Sequence, residues 1–369
     1  MKRAVIGIDA RYGLQNPRRG IGEYVYQLLR HLAEIPRSYD IHLFGDQKAD
    51  PDTANLFRQM FRISILPAAN FFTWEQLAWA RSREEVTVFH GTANIGPVRA
   101  GRPLVLTVHD VIEWHRGKDF GSAIPFRHHV SRFYRMNTLK YLAKKSSLIF
   151  TVSEHAAWDI RETLGVASDK IMITPLAPKY QANDITWPKK PFVLVLGAMD
   201  PRKNLQVMMD TATILAARQV RFKVVGIEKD HLLALMAQSR IPDNVELSGL
   251  VDDRTLYALY QEAALFVYPS LYEGFGLPLL EAMAMGCPVI TGTNSSLPEI
   301  AGDAALFVQP LDAPHLAQAI WDVINNPLRQ RQLAERGQQH ARLFNWEKTA
   351  GLTDEGYRRV LLTLRKRGL

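Results

Sequence analysis

The chain has 369 residues, 47% hydrophobic and 22% charged; the composition rules out dominant disorder, and the length exceeds what one hydrophobic core usually supports, so two domains are expected. One cysteine, Cys287, excludes an internal disulfide and a cysteine-based zinc site, and reads as a small buried apolar residue in a reducing compartment. The net charge of +8 points to anionic partners, but no zinc-finger, RNA-binding or helix-turn-helix pattern accompanies it, so no nucleic acid is expected among them.

The opening MKRAVIGIDARYG has an apolar run that meets Asp9 too soon for a signal-peptide core, and nowhere do about 18 apolar residues follow one another. A cytoplasmic protein is expected. Short β-branched runs recur at Ala4–Ile8, Ile41–Phe44, Ile63–Leu66, Val86–Phe89, Leu104–Val108 and Leu148–Val152, with amphipathic stretches between them. That alternation predicts a parallel, doubly wound α/β sheet. Over 116–145, Arg116, Lys118, Arg127, Arg132, Arg135, Lys140, Lys144 and Lys145 face one acid, Asp119. Phe126, Val130, Phe133 and Tyr134 recur among them at helical spacing, which suits an interfacial helix and equally a core helix with a solvated basic face. Phe71-Phe72-Thr73-Trp74 has the same two readings.

Next comes ITPLAPKYQANDITWPKKP, with four prolines and no apolar period, which reads as a linker and sets a boundary near 185. A second series of runs follows at Phe192–Leu196, Phe222–Val225, Val245–Leu247, Leu265–Tyr268, Val289–Thr291 and Ala305–Val308. Residues 1–185 and 186–349 are therefore expected as two Rossmann-like domains, with a helix over 350–369 packing back on the first. Bases outnumber acids 25 to 18 in 1–185, but acids outnumber bases 17 to 15 in 186–349, so the basic excess lies at the two ends of the chain.

Ligands of open α/β sheets bind beyond the carboxyl ends of the strands, so residues just after the apolar runs are the informative ones. Tyr272-Glu273-Gly274-Phe275-Gly276-Leu277-Pro278-Leu279-Leu280-Glu281 follows Leu265–Tyr268. Its glycines permit close approach and Pro278 suits the first turn of a helix, so the segment delivers backbone N–H groups to a helix N-terminus that favours an anion such as a pyrophosphate. Glu273 and Glu281 can then accept from hydroxyls of a sugar and of a ribose. Gly197-Ala198-Met199-Asp200-Pro201-Arg202-Lys203-Asn204 stands at another strand end, where Arg and Lys supply a fork and a point charge for a diphosphate. A nicotinamide dehydrogenase is disfavoured because Gly20-Ile21-Gly22 has Val25 where the third glycine should stand and begins well beyond the first strand.

These segments resemble the retaining family 4 glycosyltransferases with the GT-B fold, two Rossmann-like doubly wound domains facing each other across a cleft. The similarity rests on Gly197 to Asn204, on Glu273 to Met283, on Gly286 to Ile290, and on Gly249-Leu250-Val251-Asp252 with the helix after it. Arg19-Gly20-Ile21-Gly22-Glu23-Tyr24, Val108-His109-Asp110 and Val152-Ser153-Glu154 are weaker landmarks of the first half. The resemblance implies that Arg202 and Lys203 bind the donor diphosphate, Glu273 the sugar and Glu281 the ribose. The amides of Gly274, Phe275, Gly276 and Leu277 would complete the cradle, Gly197 would sit at the donor, Leu250 and Val251 would wall the base, His109 would lie near the sugar, and Gly20 and Gly22 would approach phosphates or acceptor. Ala198 departs from relatives with arginine there, leaving the diphosphate to Arg202 and Lys203.

By that resemblance, those two cations would do the work of a metal ion. The implied reaction is retaining transfer of a sugar, mannose from GDP-mannose being favoured, with the nucleotide sugar as co-substrate and no cofactor. UDP- or dTDP-sugar use, or nucleotide-sugar binding without catalysis, remain alternatives. The acceptor would be a glycan or lipid-linked glycan, with the basic 116–145 segment touching an anionic membrane from the cytosol. As a loop residue, Glu273 is expected to matter for turnover, with Glu273→Gln leaving the melting temperature nearly unchanged.

Overall fold

Strands buried on both faces read as continuous apolar runs, since neither face can be polar. Ile6, Val105 and Ile149 in one series and Val193, Phe266 and Ile290 in the other are all fully buried. The computed structural model describes residues 3–115, 126–236 and 240–367, the side chains of residues 84 and 126–130 excepted. These residues form two units, each around its own parallel sheet.

In unit 1, β1 (Val5–Asp9), β2 (Asp40–Gly45), β3 (Arg62–Ile65), β4 (Val88–Gly91), β5 (Leu104–Thr107), β6 (Leu148–Thr151) and β7 (Ile171–Ile173) pair in the order β3-β2-β1-β4-β5-β6-β7. In unit 2, β8 (Lys190–Leu196), β9 (Arg221–Val225), β10 (Val245–Leu247), β11 (Ala263–Tyr268), β12 (Val289–Gly292) and β13 (Leu306–Val308) pair in the order β10-β9-β8-β11-β12-β13. Strand order reverses at β1/β4 in one sheet and at β8/β11 in the other. Each unit thus has its own switch point, the place where such sheets take ligands. β7 has no counterpart among the runs read from sequence: it is three half-buried edge residues that lead directly into the proline-rich stretch.

Apart from His115, which belongs to unit 2, the described chain passes from unit 1 to unit 2 at Leu176/Ala177 and returns at Phe344/Asn345, whereas the expected lines lay at 185 and 349. Hydrogen bonds explain the first shift. Ala182 donates its N–H to Ala284 (3.1 Å) and accepts from the Gln338 side chain (2.9 Å), so much of the presumed linker is part of unit 2.

The return is set by Asn345, whose side chain accepts from the Lys348 amide and caps the helix Trp346–Lys366. Trp346, Ala350, Thr353, Tyr357, Val360 and Leu364 give it a buried stripe at helical spacing, packed against the helix Ile21–Glu34 of unit 1. Tyr357 is fully buried and hydrogen-bonds His90 (2.6 Å), while Tyr39 donates to Asp354 (2.6 Å). A Cβ on Gly356 would stand 2.4 Å from the Phe150 ring, so the helix lies too close to β6 for any side chain there.

Cys287 is fully buried, as its sequence context suggested, and burial pushes its thiol up to about 12. Among the described residues, no helix is long and apolar enough to cross a membrane.

Candidate active site

The carboxyl ends of β8 and β11 are neighbours at the switch of unit 2, and the two candidate motifs leave from them. After β8, Pro201–Lys203 forms one 3₁₀ turn capped by the Asp200 side chain, and Asn204 ends it with φ 58°. Asn204 donates to the carbonyls of Pro269 (3.0 Å) and Pro310, and the Leu271 amide donates to the Arg202 carbonyl (2.7 Å), so the two loops are bound to each other through backbone groups. This locking sets where the cations point.

Both cations converge on Glu273. Arg202 Nη1 donates to Oε2 (2.8 Å), Lys203 Nζ to Oε1 (2.7 Å), and the Tyr268 hydroxyl also to Oε1 (2.7 Å). Arg202 Nε meanwhile pairs with Asp200 (3.0 Å). Burial alone would raise the Glu273 carboxyl, but Lys203 and Arg202, with the phenol's hydrogen bond, outweigh it and hold it down to about 2. Glu273 is only 7% exposed, not an open loop carboxylate as its position in the sequence implied. Ser295 accepts from the Glu273 amide (3.1 Å), and the Ser296 hydroxyl is shared by the carbonyls of Glu273 and Phe275 (2.9 Å each).

From this braced loop the chain enters the helix Leu277–Ala284. Its N-cap is Gly276 at φ 100°, a conformation that favours glycine, and no side chain caps its amides. Pro278 stands in the first turn, where a missing N–H costs nothing. The Gly274–Leu277 backbone thus leads into a helix end with a partial positive charge, beside two cations. Phe275 contributes only backbone here, because its ring is buried against Phe344. Glu281, a turn further on and half-buried, accepts from the Tyr257 hydroxyl (2.8 Å).

The remaining candidates differ in character. Gly197 is glycine for packing: a Cβ there would lie 2.5 Å from Ile227, so its residue type does not by itself report a ligand. Leu250 is 69% exposed and Val251 half-buried, after Gly249 at φ 56°. In unit 1, Gly20 is the N-cap of Ile21–Glu34 at φ 52°, and a Cβ on Gly22 would stand 2.9 Å from the Tyr12 carbonyl. His109 is 8% exposed; its Nε2 hydrogen-bonds the Thr92 carbonyl (2.9 Å), its ring meets the Tyr24 ring edge-on, and burial pushes it down to about 4. It is a neutral, internally bonded histidine at neutral pH. Ser153 caps the helix Glu154–Leu164, a structural duty.

Of the basic segment, Arg116, Lys118 and Asp119, and the side chains of Phe126, Arg127 and Val130, lie outside the described residues. Arg132 and Arg135 both pair with Glu113 and are not free cations (3.4 and 3.6 Å). Phe133 is 71% exposed, and Tyr134 packs on Phe71 and Phe72. Sequence reasoning missed Tyr268 and Tyr257, each hidden in an apolar or amphipathic run, and Ser295 and Ser296, which follow a different strand. Among the described residues, no three His, Cys, Asp or Glu side chains are grouped to hold a metal ion.

Two parallel α/β units, with an uncapped helix end and paired cations at the switch of the second, define a glycosyltransferase of the GT-B fold. The profile described as "Glycosyl transferases group 1" matches residues 181–340, and that described as "Glycosyltransferase Family 4" matches residues 18–177. The chain belongs to the family 4 glycosyltransferases. It is 28% identical to O-antigen chain mannosyltransferase B of Escherichia coli, over 95% of this chain and 99% of the relative. It is likewise 28% identical to the MMP alpha-(1->4)-mannosyltransferase of Mycolicibacterium hassiacum, over 93% and 95%. Among solved structures, Alr3699/HepE of Anabaena in complex with UDP and glucose aligns with a TM-score of 0.70 at 17% identity, over 97% of this chain and all of that one.

Proposed function

We propose that the chain is a retaining, metal-independent mannosyltransferase that transfers mannose from GDP-mannose to a glycan or lipid-linked glycan in surface polysaccharide synthesis, working in the cytosol with no cofactor. The observation that carries this is the convergence of Arg202 and Lys203 on Glu273 beside the uncapped Leu277–Ala284 helix. A donor diphosphate, bearing more charge than one carboxylate, draws both cations to itself, with the Gly274–Leu277 amides completing its cradle. The released Glu273 accepts from sugar hydroxyls. Glu281, already positioned by Tyr257, takes the ribose, and Leu250 and Val251 flank the base.

As the C1–O bond to phosphate breaks, charge builds on the departing oxygen, and preorganised cations and amides stabilise it without reorganising. The acceptor hydroxyl attacks C1 from the same face and gives its proton to the departing phosphate, so the anomeric configuration is kept. His109, Gly20 and Gly22 belong to unit 1, and their part in this step is positioning.

The test is turnover of GDP-mannose, UDP-sugars and dTDP-sugars with excess EDTA, followed by proton NMR of the first-formed linkage. Retained mannosyl product in EDTA is expected. An inverted linkage, or activity lost in EDTA and restored by magnesium, overturns the mechanism; UDP-sugar turnover alone overturns the donor; binding without turnover favours a non-catalytic sugar-nucleotide protein.

Peripheral contact with the anionic inner face of the plasma membrane is a second reading, favoured by exposed Phe133 and Tyr141 with Lys140, Lys144 and Lys145 on one exposed helix. Each lysine near such a surface contributes about 1 kcal/mol, screened by salt. Binding to acidic liposomes should therefore fall as salt rises and weaken when the three lysines become Gln. Indifference at low salt removes the membrane from the proposal.

A further inference from the structure

Unit 1 has a pocket at its own switch point that the donor chemistry does not use. It holds about 350 Å³ and is lined by Tyr12 beyond β1, Asn94 beyond β4, Asp110 and Trp114 beyond β5, and Phe71 and Glu75 from the segment before β4. That volume lies within the about 300–1,000 Å³ usual for small-molecule sites. Glu75 stands out among the lining residues. It sits in a π-helical turn, Trp74–Trp79, a form that is rare and frequent at functional sites. The turn is held by the Trp74 indole donating to the Gly45 carbonyl (3.1 Å) and by the Arg11 guanidinium stacked 3.9 Å over the Trp74 ring.

Glu75 is 2% exposed, and only one of its oxygens is satisfied. Oε1 accepts from Arg11 (3.0 Å), but Arg11 gives its other bonds to Asp9 (3.0 and 2.7 Å), so one guanidinium serves two carboxylates. Oε2 is buried and has no hydrogen-bond partner among the described residues. A buried acceptor left unpaired is costly, and a water or a ligand hydroxyl that fills it relieves that cost. Burial, beyond what Arg11 offsets, pushes the carboxyl up to about 7.

We propose that this pocket binds an uncharged sugar residue of the acceptor, with a hydroxyl donating to Glu75 Oε2. The inference rests on the glycosyltransferase reading and specifies the acceptor's chemical class. The flanking Phe71, 46% exposed, and Tyr12, 41% exposed, offer apolar faces for ring C–H groups. Charge decides against a phosphorylated end. Among the described residues, Glu75, Asp110 and Glu113 line the pocket with one cation, Arg135, which is already paired with Glu113. A phosphate entering there would meet carboxylates, whereas a hydroxyl meets acceptors.

The test is saturation-transfer NMR on the full chain with methyl glycosides of mannose, glucose and galactose, and with mannose 6-phosphate and glucose 6-phosphate as anionic counterparts. At least one neutral glycoside should bind better than its phosphate, and Glu75→Gln should weaken it several-fold, as for a lost hydrogen bond. Phe71→Ala, on an exposed wall where folding is not at stake, should weaken it several-fold. No glycoside binding in the wild type, binding unchanged in both variants, or stronger binding of the phosphates overturns the proposal. Because the probes bind without turnover, the outcomes separate. Glycoside binding that depends on Glu75 in a chain that turns over no nucleotide sugar would sink the transferase reading and keep the pocket; normal transfer with Glu75-independent binding would do the reverse.

Discussion

Glu273 and Glu75 are both buried, both lie at the switch of their own sheet, and both contact an arginine, yet they are driven in opposite directions. Glu273 has two cations and a phenol on its two oxygens and is held down to about 2; Glu75 shares one guanidinium with Asp9 and is pushed up to about 7. Burial acts on both in the same sense, so the difference comes from the number of donors per carboxylate. A carboxylate surrounded by surplus cations can give them up to a stronger anion. One short of donors waits for a hydroxyl. The same residue type therefore marks an anion site in one unit and a polyol site in the other, and only the partners distinguish them.

The sharpest way to break this comparison is Glu273→Gln. Removing one member of a buried ion pair costs about 3–5 kcal/mol, because the cations left behind lose their counter-charge. For a unit of this size about 3 kcal/mol corresponds to a fall of roughly 6–12 °C in melting temperature. The expectation of a nearly unchanged melt, drawn from an exposed loop, is thereby replaced. Scanning calorimetry checks it, alongside a loss of turnover; an unshifted transition would mean that the cations find other partners and that the cluster is not held by its charge.

A smaller and more discriminating effect is the pH profile. Glu273 lies below its ordinary value of 4.5, so its stabilisation is present above about 4.5 and lost as pH falls towards 2. Glu75 lies above 4.5, so its contribution is fully present below that value and lost as pH rises through 7. Each separation amounts to about 3 kcal/mol at most. Urea midpoints should thus fall between pH 5.5 and 8 in the wild type and fall less in Glu75→Gln. Identical profiles for the two proteins would place Glu75 outside any desolvated, donor-poor setting.

Much of the architecture was legible because a parallel strand covered on both faces must be apolar throughout, and such runs mark twelve of the strands. β7 escaped because its three residues run into the proline-rich stretch, so that Ile173, its last residue, was taken with the linker. Gly276 could be read at its turn, since φ 100° favours glycine; Gly197 and Gly22 were read as ligand contacts, whereas their immediate neighbours are Ile227 and the Tyr12 carbonyl. The meeting of Arg202, Lys203 and Glu273 followed from adjacent strand ends. Glu75 was invisible: inside FFTWEQLAW it looks like the polar position of a core helix, and nothing local tells of Arg11, 64 residues away, or of an oxygen without a partner.

The return of the chain at Asn345 has a bearing on biosynthesis. The residues of unit 2 from Ala177 to Phe344 emerge from the ribosome as one uninterrupted stretch, whereas unit 1 needs the Trp346–Lys366 helix to cover Tyr24 and His90 and to bury Tyr357. At about 5–20 residues per second, roughly 10–40 s of translation separate the end of the first portion of unit 1 from the helix that completes it. The portion of unit 1 that precedes Ala177 is consequently made before unit 2 and completed after it.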